Sequence, residues 1–135
     1  MRDTKFLVEI NLISNQLLEY VPDLDFHPFP IYLRQGIACC LNTDDRGMWD
    51  SNFTDEIYVA VKHFNLSWKE LQKTAYNSYE YSFAEESLKS TLVHEFKQDL
   101  KKFEMQFSDS NWRNILASVP AVTYGYGTSR LGLKL

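Results

Sequence analysis

The chain has 135 residues, 44% hydrophobic and 24% charged, the make-up of roughly one globular domain and not of a disordered segment. Its 14 basic and 18 acidic residues give a formal net charge of -4, and no run of Lys or Arg forms a stripe that could track phosphates, which excludes nucleic-acid binding through charge. No apolar stretch approaches the roughly 18 residues of a membrane span, and Glu9 and Asn11 break the apolar run from Phe6 to Ile13 that a secretory leader would need, so the expectation is a soluble, cytoplasmic protein.

Phe6, Val8, Ile10 and Leu12 alternate with Leu7, Glu9 and Asn11, the period of a strand, and polar residues gather at its end over Asn11 to Asn15. From Pro28 to Gly36 the prolines suit a first helical turn and the glycine a C-terminal cap, which predicts a short helix. Ile37-Ala38-Cys39-Cys40-Leu41 is apolar on both faces, as in a parallel strand covered on both sides. Strand, helix, strand implies a right-handed crossover, which sets functional groups at the carboxyl ends of the strands, where Ser14, Asn15, Asp44 and Asp45 lie.

The remainder reads as helices. Ile57, Ala60, Val61 and Phe64 form an apolar stripe over 55–64, and Ser67 with Glu70 forms a capping box that opens a helix running from Trp68 to about Asn77. Ser82 and Glu85 repeat the pattern ahead of a long helix whose core face is Leu88, Leu92, Phe96, Leu100, Phe103 and Phe107. Trp112, Ile115 and Leu116 suggest a last turn or two of helix, after which Pro120, Gly125, Gly127 and Gly132 predict an irregular tail over 119–135. Nothing divides residues 1–118 into separate domains. Two strands with helices on one side leave edges unpaired and apolar surface uncovered around residues 37–41.

The chemistry concentrates at Leu41-Asn42-Thr43-Asp44-Asp45, where two carboxylates follow a buried strand. Charges in such a place are compensated by a metal, a hydrogen-bond network or a ligand, unless they merely open a solvated loop. Cys39 and Cys40, neighbours on opposite faces of a strand, are poor disulfide partners and read as buried thiols. His63 and His94 have no second ligand at metal-binding spacing, and His27 before Pro28 suits a structural place at a helix entrance. An EF-hand over 42–53 fails at Arg46 and Phe53, and the chain has neither a glycine-rich phosphate loop nor a nucleophile elbow.

Read together, Ile13-Ser14-Asn15-Gln16, His27-Pro28, Gly36, Leu41-Asn42-Thr43-Asp44-Asp45 and Thr54-Asp55-Glu56 resemble the last third of an adenosine deaminase. Asn77-Ser78-Tyr79-Glu80-Tyr81-Ser82-Phe83 resembles that family's helix-to-helix junction, and the similarity spans residues 8–107. The resemblance implies an α/β fold, the C-terminal part of a (β/α)8 TIM barrel: strands 7 and 8 with their helices, then further C-terminal helices. It implies a hydrolase with a catalytic zinc, which activates a water for attack on C6 of a purine nucleoside and releases ammonia. Asp44 would be the carboxylate ligand of the zinc, Asp45 would hydrogen-bond the purine, and Ser14 and Asn15 would support the site unless they are only a turn cap.

The departures are Asn11-Leu12 where the family commonly has Cys-Pro, and Arg46 where it often has proline. The family's catalytic Glu and His and its histidine ligands belong to strands outside this sequence, so no catalytic residue is assigned here. One aspartate cannot hold a zinc that typically takes three protein ligands. The chain alone is therefore expected to be inactive and to need the N-terminal part of the barrel or another chain. The alternative is an inactive half-barrel that serves as an assembly or binding module.

Overall fold

A computed structural model describes residues 6–120 and 125–132. Two short parallel strands, β1 (Val8–Ile10) and β2 (Cys39–Leu41), pair in the register Val8 to Cys39, Glu9 to Cys40 and Ile10 to Leu41. Between them lie α1 (Leu12–Leu17), a 3-10 turn (Leu24–Phe26) and α2 (Phe29–Arg34). The predicted strand, helix, strand order therefore holds, with α1 added directly after β1. Helix α2 ends as foreseen: Gly36 at φ 81° closes it, the Gly36 amide donating to the Leu33 carbonyl and the Ile37 amide to the Tyr32 carbonyl.

Beyond β2 the described chain is helical: α3 (Arg46–Trp49), α4 (Phe53–Phe64), α5 (Trp68–Glu80), α6 (Glu86–Phe107), α7 (Trp112–Ser118) and α8 (Gly125–Ser129). The Ser67 and Glu70 capping box is present, and Asn52 and Asp55 form a second one at the start of α4. The box expected from Ser82 and Glu85 does not form. Ser82 instead donates to the Tyr79 carbonyl and helps close α5, while α6 starts after Glu85 without a side-chain cap. The stripe on α6 meets α5, Phe96 on Tyr79 and Phe103 on Trp68, but it is not the core face expected: no residue of α6 is buried, and Leu88 and Phe103 are exposed. This long helix meets α5 and α7 and lies at the periphery.

Most of the core lies between the sheet and helices α1, α2 and α4, and it contains Ile10, Leu12, Ile13, Phe29, Leu33, Cys39, Leu41, Val59 and Ala60. The expectation of an uncovered second strand is overturned: Cys39, Cys40 and Leu41 are all buried. The amides of Val8 and Asn42 define the edge of β2 that faces β1, donating to Ala38 and Ile10 respectively, so the Cys39 carbonyl points to the other edge. There the buried Asn77 of α5 donates its side-chain amide to that carbonyl at 2.8 Å, replacing a ladder bond.

The tail also differs from the reading as an irregular segment. Residues 125–129 form α8, and Tyr126 is buried in the core cluster, its amide donating to the Asp50 carbonyl. Tail residues 121–124 and 133–135 lie outside the described residues. No described helix is long and apolar enough to cross a membrane.

Asn77→Ala strands a buried carbonyl while removing little apolar surface, and we expect it to cost about 1–3 kcal/mol, read as a lowered midpoint in urea unfolding.

Candidate functional site

The carboxyl ends of the two parallel strands are joined by side chains. Ser14, buried in the first turn of α1, donates its hydroxyl to Asp44 Oδ2 at 2.7 Å. The bond spans 30 positions of sequence and ties the segment after β1 to the loop after β2. Asp44 takes up a left-handed backbone, φ 49°, a region that few residues other than glycine adopt but that Asp tolerates better than most. Such conformations persist where the surroundings enforce them, as at functional sites. Asp44 is exposed, with Oδ1 outside the bond to Ser14.

Asp45 precedes α3 without capping it, and its carboxylate makes no hydrogen bond or ion pair among the described residues. Asn15, the other half of the Ser-Asn pair, turns away from Asp44. Its Oδ1 meets Nε2 of the buried His27 at 2.9 Å. Nδ1 of that ring accepts from the Phe29 amide at 3.1 Å, so the proton sits on Nε2 and the ring is neutral. Burial lowers the His27 pKa and favours the same state. His27 thus has the structural place at the entrance of α2 that its sequence position suggested, and Asn15 fixes its tautomer.

Sequence reasoning missed Glu56. This α4 residue has no exposed surface, and its carboxylate accepts the amides of Leu12 at 2.9 Å and Ile13 at 3.2 Å, capping α1 from a distance. Burial raises its pKa to about 7 against the pull of those two amides, and the charges of Asp55 and Asp44 push in the same direction as burial. The expected stripe on α4 is rotated accordingly. Asp55, Glu56, Val59 and Ala60 are buried, whereas Val61 is exposed. A signal was available in principle, because Glu56 lies three and four positions before Val59 and Ala60 on one helix face. A lone acid beside an apolar stripe, however, reads as solvated.

His63 does have a partner that spacing could not disclose: Nε2 lies 2.9 Å from Asp25 Oδ1 of the 3-10 turn. Asp23, Asp25 and His63 place one candidate ligand atom each within 4.8 Å of one another, but all three are exposed. Asp44 belongs to no such group of three among the described residues. His94 meets only Gln98. Cys39 and Cys40 are buried free thiols, as expected, with burial pushing both up to about 11, which leaves them unreactive.

A loop carboxylate held by a buried hydroxyl at the carboxyl ends of a parallel strand pair lies where α/β folds place their ligand sites. The family model for adenosine deaminase matches residues 1–99, and the chain belongs to that family. It is 27% identical over 96 residues to an adenosine deaminase of Plasmodium falciparum, covering 71% of this chain and 26% of the relative. Among solved structures it is similar to an adenine deaminase of Arthrobacter aurescens, with TM-score 0.66, 30% identity and coverage of 72% of this chain and 30% of that one. The N6-methyl-AMP deaminase of Arabidopsis thaliana gives TM-score 0.67 and 28% identity, with coverage of 72% and 29%. The chain thus spans under a third of the length of these relatives.

The raised pKa of Glu56 has a determinate sign. Between its ordinary value of 4.5 and about 7 the folded chain holds a proton that the unfolded chain has released, so stability falls as pH rises through 7. We expect Glu56→Gln to flatten this slope between pH 5 and 8 in parallel thermal melts, although it lowers stability by placing an amide donor against the Leu12 or Ile13 amide.

Proposed function

We propose that the chain is the C-terminal wall of a (β/α)8 zinc deaminase barrel, contributing strands 7 and 8. When completed, this barrel hydrolyses adenosine or a related aminopurine nucleoside to inosine, or the corresponding product, and ammonia. The observation that carries the reading is the Ser14 to Asp44 bond at the ends of two adjacent parallel strands. Asp44 fits one ligand of such a zinc: it is a hard carboxylate, exposed, oriented through Oδ2 and with Oδ1 open toward solvent. When bound, zinc supplies a water acidic enough to act as a nucleophile at neutral pH.

The chain's own residues supply orientation and charge. Ser14 holds the Asp44 carboxylate in one rotamer, and Glu56 anchors α1, which carries Ser14. Asp45 is free to hydrogen-bond the purine ring. His27 and Asn15 brace the start of α2 and take no part in proton transfer. The family's acid and base residues would come from the completing part. This reading goes with a cytoplasmic protein that acts on free purine nucleosides.

A second reading, an inactive half-barrel that pairs with a complementary chain, has its own support. A cavity of about 610 Å³ lies beside Glu9 and Cys40, bordered by Phe6, Leu7, Tyr81 and Phe83, of which Phe6 and Phe83 are exposed. Asn11 Oδ1, Trp49 Nε1 and Ser51 Oγ are buried without hydrogen-bond partners among the described residues, positions that a neighbouring segment could satisfy. A folded monomer in gel filtration excludes this pairing.

The purified chain alone should carry no stoichiometric zinc by plasma mass spectrometry and convert no adenosine to inosine by absorbance. When residues 8–118 replace the corresponding segment of the Arthrobacter aurescens adenine deaminase, the hybrid should bind zinc and deaminate. Asp44→Asn should abolish zinc binding and lower kcat/KM by about a thousandfold or more. Asp45→Asn should keep the metal and lose rate. An Asp44→Asn hybrid that retains both zinc and rate refutes the assignment.

A further inference from the structure

A cavity of about 470 Å³ opens between α1, the 3-10 turn, α4 and α8. Asp44 and Asp45 do not line it, and its volume lies within the roughly 300–1,000 Å³ of small-molecule sites. Leu17, Leu24, Val59 and Leu131 make apolar wall, of which Leu24 and Val59 are buried. Lys62 of α4 and Arg130, just beyond α8, stand at its border, both exposed and neither with an ion pair or side-chain hydrogen bond among the described residues. In a chain of net charge -4, this cavity has Lys62 and Arg130 in its lining and no carboxylate among the described residues. Of the acids around it, Glu56 accepts the amides of Leu12 and Ile13, Asp55 accepts the Asn52 amide, and Asp25 pairs with His63, itself a lining residue, beside Asp23. Arg130 and Leu131 lie beyond the residues that match the deaminase family, so the cavity is assembled partly from sequence outside that match.

We propose that this cavity binds a small molecule that joins one anionic group to a flat apolar body of roughly bicyclic size. Four aliphatic side chains provide a surface for the ring, and a lysine and an arginine from two different helical regions supply positive charge for the anionic group. An occupant would touch α4 and the α8 segment together and pin the C-terminal helix to the core. The proposal is independent of the deaminase reading, since it uses neither Asp44 nor Asp45.

The test is a titration of the full chain with 1-naphthoate and with 1-naphthyl phosphate, followed by calorimetry and amide NMR shifts. The neutral 1-naphthalenemethanol and inorganic phosphate alone serve as comparisons. At least one aryl anion should bind saturably, about tenfold or more tighter than either comparison, with the largest shifts at Leu24, Val59 and Leu131. The Lys62→Gln, Arg130→Gln double variant changes only exposed side chains and should weaken that binding about tenfold. Leu17→Trp should block it by filling the cavity. The proposal is overturned if neither aryl anion saturates at millimolar concentration, if the neutral alcohol or bare phosphate binds as tightly, if the double variant binds unchanged, or if the shifts map elsewhere.

Discussion

The buried carboxylate of Glu56 is the interaction on which this structure depends. Helix α1 starts one residue after β1, leaving its first amides in the interior with no preceding turn to pair them. Glu56 reaches across from α4 and accepts two of them, at positions more than 40 residues away in sequence. Those two donors favour its charge, but burial outweighs them, and its pKa is raised to about 7. Withdrawing this anchor would free the first turn of α1, the element that carries Ser14.

Ser14 in turn couples that turn to Asp44, so a chain of contacts runs from the interior of α4 to an exposed carboxylate at the strand ends. The chain is polar throughout and lies against an apolar core, an arrangement that keeps a side chain oriented without burying it. On the other side of the crossover the neutral His27 performs an analogous task, bridging Asn15 to the first amide of α2. The two helices of the crossover are thereby each anchored at their start by one buried side chain, α1 by Glu56 and α2 by His27. This explains how two strands of three residues can hold a defined geometry at their ends.

The sequence made local features legible and long-range ones not. The proline and glycine boundaries of α2 and the Ser67 capping box are encoded within a few residues, and each was readable, whereas periodicity alone misplaced the buried faces of α4 and α6. The Asp44 and Asp45 pair and Ser14 stood out because residue type and position at strand ends are also local information. Glu56 was opaque because its partners are backbone amides, which every residue possesses and no pattern marks. The pairing of His63 with Asp25 was hidden by the same sequence distance. Ser82 misled because a box-like spacing occurs both at the end of one helix and near the start of the next, and the neighbouring Tyr79 carbonyl captured its hydroxyl.

Tyr126 bears on where this molecule ends as a physical object. The family model matches residues 1–99, yet a tyrosine 27 positions later fills part of the interior and donates its backbone amide to the Asp50 carbonyl. The span that matches the family and the span that builds the buried core therefore do not coincide. A polypeptide trimmed to the homologous region would retain every residue that marks its lineage and lose a piece of its own interior.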